Sequence, residues 1–126
     1  MEQKYAARLI QVGIRAMTGH QRDQAARFGV EVFEMRHLPV LERMNVNGPV
    51  YVSFDIDALD PAFVPGISHR EPGGMSVRDA LSHLHAITGT IVGADIVEFN
   101  PAQDVSHLTA AVAAKILKEL LGKMLL

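Results

Sequence analysis

Apolar residues along the 126-residue chain fall into short runs that alternate with helical patterns, and glycine and proline punctuate the intervals. Residues 8–15, "RLIQVGIR", read as a first strand in which Gly13 marks a bulge or a close backbone approach. Residues 19–28, "GHQRDQAARF", are helix formers stopped by Gly29. "VEVFEM" at 30–35 alternates with a period of two and predicts a short strand. "RHLPVLERM" at 36–44 predicts a helix with Pro39 in its first turn. "PVYVSFDI" at 49–56 carries the strongest strand pattern, rich in β-branched and aromatic residues and opened by Gly48 and Pro49.

A long loop follows, "DPAFVPGISHREPGG" at 60–74, with three prolines and three glycines in fifteen residues. In a compact domain such a loop is functional or disordered. Ser76 then caps a helix, with Asp79 in capping-box spacing and Leu81, Leu84 and Ile87 on its apolar side. "TIVGADIVEF" at 90–99 is another buried strand. Asp104 or Ser106 starts a last helix, where Leu108, Val112, Ile116 and Leu120 repeat every four residues and Gly122 marks the end. The resulting β-α-β-α-β-α-β-α order predicts a single α/β domain over 1–126, with a parallel sheet and helices on its faces. Right-handed crossovers then bring the carboxyl ends of the strands to one edge, where ligands of such sheets bind.

Composition narrows the partners. A net charge of −2 with scattered Lys and Arg offers no positive field for nucleic acid or an anionic membrane. No cysteine is present, which excludes disulfides and thiolate metal sites. The N-terminal "MEQKYAARLIQVG" has too short an apolar run for a signal peptide, and no stretch reaches the roughly 18 apolar residues of a membrane span. The expectation is a cytoplasmic protein.

Chemistry concentrates at the end of the strongest strand. "SFDIDALDP" at 53–61 sets three aspartates within six positions, and crowded carboxylates near a core are unfavourable unless something offsets their charge. In extended chain Asp55 and Asp57 would share one face about 7 Å apart at Cα, so both can converge on a hard divalent cation such as Mg²⁺ or Mn²⁺. The alternative is that Asp57 and Asp60 cap the following turn, and a loop-shaping role is the expectation for Asp60. The glycine and glutamate offsets of a calcium EF-hand loop are absent. A haloacid-dehalogenase-like pair would be followed by threonine or glycine and a later acidic motif, whereas Ala58 and Leu59 follow here.

Glu98 ends the strand at 90–99, and the parallel arrangement sets it on the same edge as Asp55 and Asp57. A carboxylate there suits a guanidinium, whose paired donors match two carboxylate oxygens; a strand-end acid satisfied by backbone N–H groups is the alternative. Asp95 points to the opposite face and serves structure. His83 and His85 diverge on their helix, and His20, His37 and His107 are expected to be exposed. His69, in the long loop, is a candidate to line a substrate pocket.

Taken together, "SFDIDALDP", "PGISHREPGG" and "GADIVEFNP" resemble the C-terminal part of a ureohydrolase, the arginase and agmatinase family of binuclear manganese enzymes. The "ISHREPGG" form is similar to the subgroup holding plant-type arginases and some bacterial agmatinases. The resemblance implies a three-layer α/β/α fold with a mainly parallel sheet, of which this chain is the C-terminal portion. It implies that Asp55 bridges two Mn²⁺ ions, that Asp57 ligates one of them, and that Glu98 orients a substrate guanidinium. The activity implied is hydrolysis of a guanidino compound such as agmatine with release of urea. Arginase acting on L-arginine and a non-catalytic binding domain are the alternatives. A homo-oligomer is expected, because a partial chain would leave a sheet edge and apolar helix faces open to pairing. The "GGDHS"-like and "DAHxD"-like motifs that carry the family's other ligands do not occur, so the chain holds only part of such a site and is expected to be inactive alone.

Overall fold

The structure, a computed structural model, describes residues 5–125; residues 1–4 of the stretch read for a signal peptide lie outside them. The chain divides between Leu38 and Pro39 into two compact units. In the first, strand β1 (Ile10–Ile14) pairs in parallel with β2 (Glu31–Glu34), across helix α1 (Gly19–Phe28). Thr18 and Gln21 form a capping box at the start of α1. Gly29, at φ 65°, ends the helix in the left-handed conformation that glycine adopts without strain. The β1–β2 register shifts between Val12 and Ile14, an irregularity at Gly13, the position expected to mark a bulge or a close backbone approach.

The second unit carries the chemistry. Strand β3 (Pro49–Asp55) pairs in parallel with β4 (Thr90–Val97), with Asp55 opposite Val97 at their carboxyl ends. Between them come the 60–74 loop and helix α2 (Val77–Ala86), capped by Ser76 and Asp79 as expected. Leu81, Leu84 and Ile87 are buried, together with Ile56, Leu59, Val64 and Ile67. Fully burying one such side chain stabilises the fold by about 1.5–3 kcal/mol. Helix α3 (Leu108–Met124) closes the unit with Ile116 and Leu120 in the core.

Within each unit the strands pair in parallel, β1 with β2 and β3 with β4, as the parallel α/β pattern predicts. Three expectations are corrected. Residues 36–44 are not one helix but two 3₁₀ turns, Met35–His37 and Leu41–Met44. Pro39 forces this, because a residue before proline is driven out of the helical region, and Leu38 is extended at φ −79°, ψ 152°. Gly122 does not end α3, which continues to Met124. The apolar row on α3 is buried only in its second half, and Leu108 stays 46% exposed. Its first turn is anchored instead by the fully buried Thr109, whose hydroxyl accepts the Gly66 N–H at 2.8 Å, and by Asp104, which accepts from Thr109 and Ala110 N–H.

Candidate functional site

The candidate site gathers where β3 and β4 end. β3 stops at Asp55, and Ile56–Ala58 form a single 3₁₀ turn, so Asp57 lies beyond the strand rather than two extended residues along it. Asp55 caps this turn, its Oδ1 accepting the Asp57 N–H at 3.0 Å. The buried–exposed alternation persists all the same: Phe54 and Ile56 enter the core, while Asp55 stays exposed and Asp57 partly so. Desolvation pushes the Asp55 carboxyl up to about 6, the Asp57 N–H bond opposes the shift, and the charges of Asp57 and Glu98 add to it.

Glu98 follows β4 with φ 63°, left-handed backbone that costs a non-glycine residue on the order of 1–2 kcal/mol. Hydrogen bonds on its C-terminal side hold this kink. Phe99 bridges to Ile67, and the Asn100 N–H donates to Gly66 O at 2.8 Å. Asn100 Nδ2 also donates to Ser68 Oγ at 3.0 Å, and its Oδ1 caps the turn that starts at Pro101.

The same bonds fix the loop that carries His69. Asp60 accepts from Ala62 N–H on one oxygen and from Gly73 and Gly74 N–H on the other, so it shapes the loop as expected. Arg70 donates from Nε to Pro65 O, and from its guanidinium to Gln103 O at 3.4 Å. Gly66 must be glycine, because a Cβ there would lie 2.9 Å from Asp104 Cβ and Thr109 Oγ1. Val64 and Ile67 anchor the loop in the core. The long loop is therefore ordered.

The result is convergence. Among the described residues, Asp57, His69 and Glu98 each offer a ligand atom within 4.8 Å of the others, and His69 and Glu98 are exposed. Asp55 stands outside this group but feels the charge of two of its members. Asp95 is structural, accepting from Tyr51 Oη at 2.8 Å and Ser53 Oγ at 2.6 Å. His20, His37 and His107 are exposed. His83 is buried, with one ring nitrogen at Asp79 O and the other at Val40 N–H, while His85 meets Glu119. Sequence reasoning missed Asn100, Thr109 and Asp104 as the residues that hold the site together. The Asn-Pro step at Asn100, an N-cap followed by proline, was the readable signal for the first of them.

Three potential donors from separate segments thus meet at the carboxyl ends of a parallel strand pair, the edge at which α/β proteins bind their ligands. The sequence profile of the arginase family matches residues 1–122, and the chain belongs to that family. It is 52% identical to "Arginase 1, mitochondrial" of Arabidopsis thaliana over 98% of its own length and 39% of the relative's. It is 39% identical to a guanidinopropionase of Pseudomonas aeruginosa, over 90% of this chain and 40% of the relative. Among solved structures, the arginase of Medicago truncatula superposes with a TM-score of 0.88 at 48% identity, covering 98% of this chain and 42% of that one. The fold is the α/β fold of the arginases, and the chain spans about two fifths of the length of the curated relatives it matches. No helix among the described residues is long and apolar enough to cross a membrane.

Proposed function

We propose that this chain is the C-terminal portion of a manganese ureohydrolase that hydrolyses a guanidino compound and releases urea. The observation that carries the reading is the meeting of Asp57, His69 and Glu98 beside Asp55, in a chain of the arginase family. L-Arginine is favoured over agmatine. Relatives named arginase are 48–52% identical to this chain, whereas those named for guanidinopropionate or guanidino acids are 36–39% identical.

The donors fit the metal. They are carboxylate oxygens with one imidazole nearby, the set that Mn²⁺ accepts, and the Asp55 carboxyl, raised first by desolvation and then by the charges of Asp57 and Glu98, is one whose ionised form a dication would stabilise. Asp55 and Asp57 would hold the ions, which supply Lewis acidity and lower the pKa of water when bound. Glu98 accepts paired N–H bonds from the substrate guanidinium and fixes its orientation. His69 closes the other side of that group. Two carboxylates cannot fill a six-coordinate shell, so the isolated chain binds Mn²⁺ weakly and releases no urea; the remaining ligands come from the part of the protein beyond this segment. The complete enzyme is a homo-oligomer.

The test uses the longer protein that carries this segment. Glu98→Gln keeps the shape and removes the charge, and losing a desolvated charged pair costs on the order of 2–5 kcal/mol. The specificity constant for arginine should fall by roughly thirty- to several-thousand-fold, with manganese content unchanged. Full activity in that variant would remove Glu98 from substrate binding, and loss of manganese would move it to the metal site. Faster urea release from agmatine than from arginine would reverse the substrate order.

A further inference from the structure

We propose that Asn100 is a positioning residue that ties Glu98 to the loop of His69, so that the two sides of a guanidinium pocket keep one spacing. Its bearing on substrate binding rests on the function proposed above; the tie itself rests on hydrogen bonds within this chain.

Glu98 and His69 lie 29 positions apart in the sequence, and both side chains are exposed, so core packing of those side chains does not fix their spacing. Glu98 also has φ 63°, and a strained backbone of this kind persists only where its surroundings over-determine it. β4 ends one residue earlier, at Val97. On the C-terminal side the loop itself does the holding. Phe99 bridges to Ile67, and Asn100 binds on either side of that residue: its N–H donates to Gly66 O at 2.8 Å and its Nδ2 to Ser68 Oγ at 3.0 Å. Ile67 is fully buried, so the grip is on a fixed point.

The side-chain amide is used at both ends. Oδ1 accepts the Ala102 N–H at 3.2 Å, which leaves Nδ2 for Ser68. An aspartate would keep the cap and lose the donor, and an alanine would lose both. Asn100 thus acts two residues from Glu98 and, through Ser68, next to His69. A displacement of about 1 Å in a group that orients substrate costs on the order of a hundredfold in rate. A tie at this place therefore bears on binding without touching the ligand. Ser68 is exposed, so its hydroxyl can be removed without disturbing the core.

In the longer protein that carries this segment, Ser68→Ala deletes one side of the tie and spares the Asn100 cap. KM for arginine and the inhibition constant of guanidinium chloride, used at non-denaturing concentration, should both rise about tenfold, with manganese content unchanged. Ser68→Thr, which restores a hydroxyl, should recover both. Asn100→Ala should raise them at least as far, and the double variant no further than Asn100→Ala, because both substitutions break the same bond. A fall in kcat alone, with KM and guanidinium inhibition unchanged, would read as loss of folded enzyme and overturn the positioning role. Additive losses in the double variant would overturn the tie. If Asn100→Ala fails to fold, Ser68→Ala against Ser68→Thr decides. Glu98→Gln, run alongside, separates this inference from the proposed function. If it weakens guanidinium inhibition while Ser68→Ala does not, the inference fails and the function stands. If Glu98→Gln leaves inhibition intact, the function fails instead, and amide exchange decides the tie. Faster exchange in Ser68→Ala at both the Gly66 and Asn100 amides upholds it, and an unchanged Asn100 amide overturns it.

Discussion

Asp55 and Asp60 lie five positions apart in one short sequence, and the fold treats them in opposite ways. Asp60 receives three backbone N–H groups, from Ala62, Gly73 and Gly74, so its charge is fully used in closing a loop. Asp55 receives one, from Asp57, and otherwise faces the carboxylates of Asp57 and Glu98. Asp95, on the neighbouring strand, sides with Asp60: the Ser53 and Tyr51 hydroxyls hold its carboxyl below the usual range. A carboxylate that builds structure is surrounded by donors. Asp55 is instead desolvated beside two other carboxylates, which lowers stability where it is ionised.

The strongest way to break this contrast is Asp60→Ala. It strands the Gly73 and Gly74 N–H groups and frees the loop, and the loss of charge-assisted bonds should destabilise the chain by about 2–3 kcal/mol. Denaturant titration reads the loss, and amide exchange should accelerate around His69. An unchanged midpoint would mean that Arg70, Asn100 and the buried Val64 and Ile67 suffice to hold the loop.

Asp55→Asn should act in the other direction. The folded pKa of Asp55 is raised from 3.8 to about 6, so the folded state binds more protons than the unfolded state between those values, and stability falls as pH rises through the window. Removing the charge recovers that loss at neutral pH. Because the side chain is partly exposed, the gain is discounted for solvent screening to about 1 kcal/mol. Thermal melts of the metal-free chain at pH 7.5 should show it, and melts below pH 4 should not. A gain that does not vary with pH would refute the electrostatic cause.

Smaller effects belong to the satisfied acids. The Tyr51 phenol is raised by its bond to the Asp95 carboxylate. Asp95→Asn in a Tyr5→Phe background should bring the Tyr51 ultraviolet titration back towards 10. The smallest change concerns Glu119, which Lys115 and then His85 hold at about 2. Its contribution is present above the ordinary value of 4.5 and is lost as pH falls towards 2. Lys115→Ala should therefore lower stability slightly at pH values above about 4.5 and leave it nearly unchanged near pH 2, so that denaturant midpoints fall less steeply with acidification than in the unsubstituted chain.

The sequence by itself determined whatever rests on local chemistry. Gly29 ended its helix because only glycine takes φ 65° without strain, and Ser76 with Asp79 capped α2 through a bond spanning three residues. The acid-rich end of β3 and the motifs around it were legible for the same reason: crowded carboxylates beside a buried strand are visible in one short stretch. Gly122 misled because an isolated glycine lowers helix propensity by only about 1 kcal/mol, which the packing of Ile116 and Leu120 exceeds. Tertiary structure alone decided the rest. It ended β3 at Asp55, so Asp57 reaches the site from a turn, and it turned Glu98 into the left-handed region. It brought His69 to both acids through Asn100, Ser68 and Gly66, residues that are far apart along the chain. Such convergence depends on bonds between segments about thirty residues apart, which no local pattern encodes.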